Sequence, residues 1–413
     1  MVDTIRSSQE AIALEDKFGA HNYHPLPVVL SKGEGVFLWD VEGKRYFDFL
    51  SAYSAVNQGH CHPRIIQALI DQAKELTLTS RAFYNDKLGI AEKCICETFG
   101  YEKALFMNSG AEANETAIKL ARKWGYLRKG IPDNQAVIVG VKQNFHGRTT
   151  TIISASTDTS ARKGFGPFMP GFEIVDYDNL QAIATALENP NVCAVWIEPI
   201  QGEAGVYVPH DGYLKSVEKL CHMKNVLLMM DEIQTGIART GKMLASDHEN
   251  VRPDLLILGK ALSGGVLPVS CVLADDVIMM LLKPGEHGST FGGNPLAAAV
   301  CVAALNVVRD ENLAERAERL GGVFRDRMNR LKEKSTLISL VRGKGLLNAI
   351  VINDTPQSET AWNICMALAD QGLLAKPTHG NIIRLAPPLV ITEEQIHECC
   401  DIIESVILTY KKN

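Results

Sequence analysis

Short apolar runs alternate with amphipathic stretches through the middle of the chain. Ala104-Leu105-Phe106-Met107, Ala136-Val137-Ile138-Val139, Cys193-Ala194-Val195-Trp196-Ile197, Val226-Leu227-Leu228-Met229-Met230 and Leu255-Leu256-Ile257-Leu258 contain no charged residue. A strand with one face in water alternates apolar and polar positions. Unbroken runs therefore predict strands covered on both faces, as in a parallel sheet between layers of helix. Helical periodicity over 111–124 and 213–223 supplies such layers. The pattern predicts an α/β, doubly wound large domain with a mostly parallel sheet over residues 55–310.

The last hundred residues read differently. A charged helix is predicted near 311–332, a strand at 346–352, a helix near 360–371, a strand at 382–385 and a final helix. Pro387-Pro388 stops the strand that carries Arg384, and Thr392-Glu393-Glu394 suits a helix start. Residues 311–413 thus read as a smaller α+β domain. Residues 1–54 carry Gly33, Gly35 and Gly43 around short strand-like runs and read as an N-terminal arm packed on a neighbour.

Composition narrows the function classes. With 413 residues, 46% hydrophobic and 22% charged, the chain is larger than a single small binding module. The 42 Lys and Arg against 48 Asp and Glu give a net charge of −6, and no block concentrates one sign, so no nucleic-acid partner is expected. The longest apolar stretch, 296–305, falls short of the ~18 residues a membrane span needs, so no membrane partner is expected. Ten cysteines are too few for a disulfide scaffold, and neither Cys94/Cys96 nor Cys399-Cys400 has zinc-site spacing. His60-Cys61-His62 alternates along an extended segment and is read as holding no metal. Asn114-Glu115-Thr116 matches a glycosylation sequon by coincidence inside a helical pattern. The opening residues lack a leader pattern, which reads as a cytoplasmic protein, or a mitochondrial-matrix protein after leader removal.

In open parallel sheets ligands bind beyond the carboxyl ends of the strands, so polar residues just after apolar runs carry the chemistry. Asn108-Ser109-Gly110-Ala111-Glu112-Ala113 follows the first run and opens a helix: Ser109 and Glu112 have capping-box spacing, and the free N–H groups there form a natural phosphate seat. Asp231-Glu232-Ile233-Gln234-Thr235-Gly236 and Gly259-Lys260 follow two further runs. A phosphorylated pyridine aldehyde could place its ring nitrogen on Asp231 and its aldehyde on Lys260.

These segments, with Phe145-His146-Gly147-Arg148-Thr149 and Glu198-Pro199-Ile200-Gln201-Gly202-Glu203, resemble the class III aminotransferases of the fold-type I pyridoxal-phosphate enzymes, over nearly the whole chain. Within that family, His21-Asn22-Tyr23-His24-Pro25, residues 54–63 and Lys376-Pro377-Thr378-His379 resemble the members that act on L-ornithine. The resemblance implies pyridoxal 5'-phosphate as cofactor, with Lys260 as its covalent anchor and proton shuttle. Asp231 would face the ring nitrogen, where unit charges ~3 Å apart attract by about 5 kcal/mol at an effective dielectric of ~20. It also implies Phe145 stacked on the ring with His146 beside it, Gln234 on the phenolic oxygen, and Ser109, Gly110 and Ala111 around the phosphate. Ser289 would bind the cofactor, and Thr290 would reach the phosphate of the other subunit's cofactor in a homodimer with shared active sites. For substrates it implies L-ornithine and 2-oxoglutarate, with L-glutamate as product, and a place in proline and arginine metabolism. Arg384 and Arg148 would take the two carboxylates of 2-oxoglutarate, Glu203 would mask Arg384 while ornithine reacts, and Tyr23 and Tyr53 would fix the ornithine head. Relatives acting on N-acetylornithine or 4-aminobutyrate, which usually carry an aliphatic residue at the position of Tyr53, are the alternative; a non-catalytic partner-binding relative is a further one.

Overall fold

The structure, a computed structural model, describes residue 5 and residues 7–411. Near the N-terminus β1 (Leu30–Glu34), β2 (Phe37–Asp40) and β3 (Arg45–Asp48) form an antiparallel ladder. Its free edge is completed by Leu373–Leu374, which pair in parallel with β3, so the chain's two ends share one sheet.

The five apolar runs fall in β4 (Lys103–Met107), β5 (Val137–Val141), β7 (Val192–Ile197), β8 (Leu227–Asp231) and β9 (Leu255–Leu258). With β6 (Phe172–Val175) and β10 (Ser270–Ala274) they form one seven-stranded sheet, ordered β4-β10-β9-β8-β7-β5-β6. From β9 to β6 every pairing is parallel, whereas β10 runs antiparallel to both its neighbours. The period of two divides each continuous run between two cores. Met229, Leu255 and Ile257 pack with Ala113, Ile118 and Leu120 of the helix Gly110–Trp124. Leu228 and Met230 pack with Leu214 and Val217 of the helix Tyr213–Met223. β10 escaped the sequence pattern because its run opens on a serine and mixes in cysteine and alanine, although all five residues are buried.

The C-terminal region contains β11 (Ile338–Lys344), β12 (Leu347–Ile352), β13 (the Leu373–Leu374 pair), β14 (Lys376–Thr378) and β15 (Ile382–Leu385). β11, β12, β15 and β14 form an antiparallel sheet in that order. The charged helix spans Leu313–Lys334, two residues later than the pattern predicts, because Asn312 adopts left-handed geometry at its start. Thr392 and Gln395 close a capping box on the last helix, Glu393–Thr409.

One side chain ties these regions together. Arg239 is fully buried, and its Nε and Nη2 donate to Asn57 Oδ1 at 3.1 and 2.5 Å. Its Nη1 donates to the carbonyls of Leu346 and Pro387 at 3.0 and 2.6 Å. The residue therefore fastens the entry to β12 and the exit from β15 to the sheet that carries the polar strand ends. Burial among neutral oxygens lowers its pKa to about 9.

Candidate active site

A cavity of about 170 Å³ opens at the carboxyl ends of the parallel strands. Asp231 closes β8, Glu198 follows β7, and Lys260 stands two residues past β9; all three line it, with Gly110, Phe145 and Gln234.

Asp231 is fixed from three sides. Its Oδ2 accepts from Asn114 Nδ2 at 2.9 Å and pairs with His146 Nδ1 at 2.7 Å, and its Oδ1 accepts the Ile233 N–H at 3.0 Å. An ionised carboxylate only accepts, so His146 donates from Nδ1. The His146 ring is stacked on Trp196 with centroids 3.8 Å apart and its side chain is fully buried. Although His146 lines the cavity, its ring chemistry is thus directed at Asp231. Three of roughly four acceptor positions on Asp231 are filled, which leaves one for a ring N–H in the cavity.

Asn114 belongs to this arrangement and was hidden in the sequence by its role as a sequon residue. It accepts from Trp196 Nε1 at 3.0 Å while donating to Asp231, so it locks both the carboxylate and the wall behind His146. A buried polar residue one turn after Gly110 was the signal, but only long-range geometry identifies its partner.

At the helix start Ser109 and Glu112 form the predicted capping box. Glu112 also accepts the Asn108 N–H at 3.1 Å, and Asn108 Nδ2 donates to Ser289 Oγ at 2.8 Å. The N–H groups of Gly110 and Ala111 have no acceptor within the helix. A Cβ on Gly110 would lie 2.8 Å from Ile233 Cδ1, so a larger residue here would displace that side chain. A pyridine phosphate fits these groups: an anion on the helix start, a free acceptor on Asp231 and an amine at Lys260.

Lys260 has left-handed geometry at φ 45°, which is uncommon for a residue with a side chain. Burial, with help from the Arg384 charge, lowers its pKa to about 8. The amine is therefore held near the boundary between its charged and nucleophilic forms at neutral pH.

Arg384, on β15, is only 3% exposed. Its Nη1 donates to Gln234 Oε1 at 3.0 Å and lies 3.6 Å from Glu203 Oε2, its guanidinium sits 4.5 Å from the centre of the Tyr53 ring, and its buried Nη2 has no partner. Gln234 thus spends its carbonyl on Arg384 and keeps its amide N–H groups for the cavity. Burial first, then the Glu203 carboxylate, raises the Tyr53 hydroxyl pKa. A second cavity of about 240 Å³ shares Phe145 and His146 with the first and adds Arg148, Glu203, Asp158 and His379.

Several expected site residues, Ser109 among them, are exposed within this single chain. Arg148 is exposed, although it lines the second cavity and lies over Phe145 with its guanidinium 5.7 Å from the ring centre. Tyr23 is 73% exposed, and Thr290 is exposed and lines neither cavity. The two histidines of His60-Cys61-His62 serve different carboxylates, Asp48 at 2.7 Å and Glu311 at 2.9 Å.

Residues 18–407 match the family model described as Aminotransferase class-III. The chain is 61% identical over 402 residues, 97% of its length and 92% of the relative's, to a Drosophila melanogaster protein described as ornithine aminotransferase, mitochondrial. A Toxoplasma gondii ornithine aminotransferase structure, described with partial occupancy of PLP at the active site, aligns with TM-score 0.96 at 50% identity over 98% of this chain and 95% of that one. An acetylornithine aminotransferase structure from Elizabethkingia anophelis aligns with TM-score 0.91 at 59% identity over 98% of this chain and all of that one.

Proposed function

Because the chain belongs to the class III aminotransferases, which depend on pyridoxal 5'-phosphate, we propose that it moves the terminal amino group of L-ornithine to 2-oxoglutarate. The products are L-glutamate 5-semialdehyde, which closes to pyrroline-5-carboxylate, and L-glutamate. The observation that carries this reading is Arg384, a buried guanidinium masked by Glu203 at 3.6 Å and by the Tyr53 ring. Such a masked cation answers the problem of a site that must accept a substrate by its far amine and then a diacid by its α-keto end.

When bound, the cofactor supplies an electron sink that stabilises negative charge at the carbon bearing the transferred amine. The chain's own residues do the rest. Asp231, held by Asn114 and His146, would favour the protonated ring nitrogen, and Phe145 would cover the ring. The helix start at Gly110 and Ala111 would hold the phosphate. Lys260 Nζ, available in its neutral form, takes the proton from the amine-bearing carbon of the substrate. In the ornithine half-reaction Glu203 neutralises Arg384, so the α-carboxylate end is held elsewhere, near Tyr23, Tyr53 and Arg148. When 2-oxoglutarate enters, Glu203 yields Arg384 to its α-carboxylate, and Arg148 takes the distal one.

The functional units proposed are an arm over 1–54, a cofactor-binding domain over 55–310 and a small domain over 311–413. The active unit proposed is a homodimer in which Thr290 of each chain completes the other's phosphate seat; the exposure of Thr290 supports that role. No helix among the described residues is long and apolar enough to cross a membrane. Of the compartments read from sequence, cytoplasm and mitochondrial matrix, the description of the fruit-fly relative as mitochondrial supports the second.

The test is the first half-reaction alone. The cofactor-loaded protein is mixed separately with L-ornithine, N-acetylornithine and 4-aminobutyrate while the visible absorbance of bound cofactor is followed. Fast loss of the band with ornithine alone is expected. Equal or faster loss with either other amine would reassign the substrate. Lys260→Ala should abolish turnover with the fold intact by circular dichroism, and substantial residual turnover would refute its assignment.

A further inference from the structure

Two carboxyl groups leave the central sheet side by side, and their surroundings differ. Trp196 pairs with Met229 and Ile197 with Met230, so the next residues of β7 and β8, Glu198 and Asp231, emerge as neighbours into one cavity. Asp231 accepts from three donors. Glu198, only 4% exposed, has one: its Oε2 accepts the Phe145 N–H at 2.9 Å. An ionised carboxylate needs several donors when removed from water, and a like charge beside it disfavours ionisation further. Asp231 and Glu203 are the like charges that face Glu198, and Lys260 is the cation. Burial and Asp231 push its pKa well above the usual carboxyl range, against the smaller opposing pull of the Phe145 N–H and Lys260.

We propose that Glu198 stands in the cofactor cavity as a neutral carboxylic acid, accepting the Phe145 N–H through Oε2 and offering the proton of its other oxygen to an anionic oxygen of the cavity's occupant. It is then the uncharged member of a split pair. Environments that separate two neighbouring carboxyls assign their roles: one is the fixed counter-charge, the other the proton-bearing donor. A second anion here would also hold Lys260 in its protonated form, against the role of its amine. The inference rests on the cofactor site of the proposed function but not on the identity of the substrate.

Glu198→Gln is the discriminating variant. Its amide can present oxygen to Phe145 and N–H to the cavity, the pattern of the neutral acid and not of the carboxylate. Infrared difference spectra of cofactor-free protein at neutral pH, wild type minus Glu198→Gln, should show the carbonyl stretch of a protonated carboxyl; a carboxylate pair in its place overturns the proposal. Affinity for pyridoxal phosphate, read by fluorescence quenching, should stay within about threefold in Glu198→Gln and fall about tenfold or more in Glu198→Ala. A Glu198→Gln protein as impaired as Glu198→Ala would also overturn it. The infrared reading needs neither cofactor nor substrate, so it stands whichever amine the half-reaction selects.

Discussion

Arg239 and Arg384 are both buried, at 0% and 3% exposure, yet their guanidinium groups are treated in opposite ways. Around Arg239, Nε and both terminal nitrogens meet neutral oxygens on Asn57, Leu346 and Pro387. Around Arg384 one nitrogen meets Gln234, the carboxylate of Glu203 stays at 3.6 Å, and Nη2 has no partner. A buried charge with its donors filled by neutral oxygens has nothing left for a ligand and serves as a joint. A buried charge left short of acceptors is poised for an incoming carboxylate. Burial alone therefore does not separate structural from binding arginines; the count of filled donors does.

Removing each arginine should break the molecule at different places. Arg239→Met leaves Asn57 Oδ1 and two carbonyls short of donors and, at about 1–3 kcal/mol for each unsatisfied buried acceptor, should cost about 3 kcal/mol or more of stability, measured by denaturant unfolding. A loss below about 1 kcal/mol would mean the joint is not where the regions are held. Arg384→Gln should raise the KM for 2-oxoglutarate about ten- to hundredfold, with stability changed by less than about 1 kcal/mol. An unchanged KM would remove Arg384 from carboxylate recognition.

A finer comparison uses Lys260, whose pKa is lowered to about 8 by burial first and by Arg384 second. The neutral amine is the form that combines with an aldehyde. The rate at which cofactor-free protein takes up pyridoxal phosphate should therefore climb as pH passes through about 8. In Arg384→Gln the climb should move to higher pH, because the charge that opposes protonation of Lys260 is gone. A midpoint unmoved in that variant would dissociate the two groups. The smallest effect belongs to Tyr53→Ile, which should favour N-acetylornithine or 4-aminobutyrate over ornithine by about fivefold, since one packed contact contributes roughly 1 kcal/mol. Unchanged ratios in competition assays would exclude Tyr53 from selectivity.

Local signals foretold much of this arrangement. Five apolar runs became strands of the main sheet, the capping box of Ser109 formed with its predicted partner Glu112, and the last helix starts at Thr392 as expected. Strand-end position was enough to find Asp231 and Lys260, because a parallel sheet collects its carboxyl ends at one edge. What stayed hidden depends on distant partners. Arg239 meets Leu346 and Pro387 across more than a hundred positions, and nothing near it in sequence marks it. Glu198 stood in a quoted motif, but only the β7–β8 register sets it beside Asp231. β10 was missed because its residues, Ser270-Cys271-Val272-Leu273-Ala274, are too small and mixed to stand out as an apolar run although all five are buried.

The Tyr53 ring reaches Arg384 from an unusual piece of backbone. Ser51, Ala52, Tyr53 and Ser54 all have positive φ, and none is glycine. Left-handed geometry disfavours each such residue by roughly 1–2 kcal/mol, so the turn cannot persist alone. Asp48 accepts the N–H groups of Leu50 and Ser51, and Ser51 Oγ donates to the Ala386 carbonyl at 2.7 Å, 335 positions away. In the order of folding events, this turn must wait for the far end of the chain. The substrate mouth is thus among the last parts of the protein to acquire its shape, and a nascent chain lacking β15 has no means of building it.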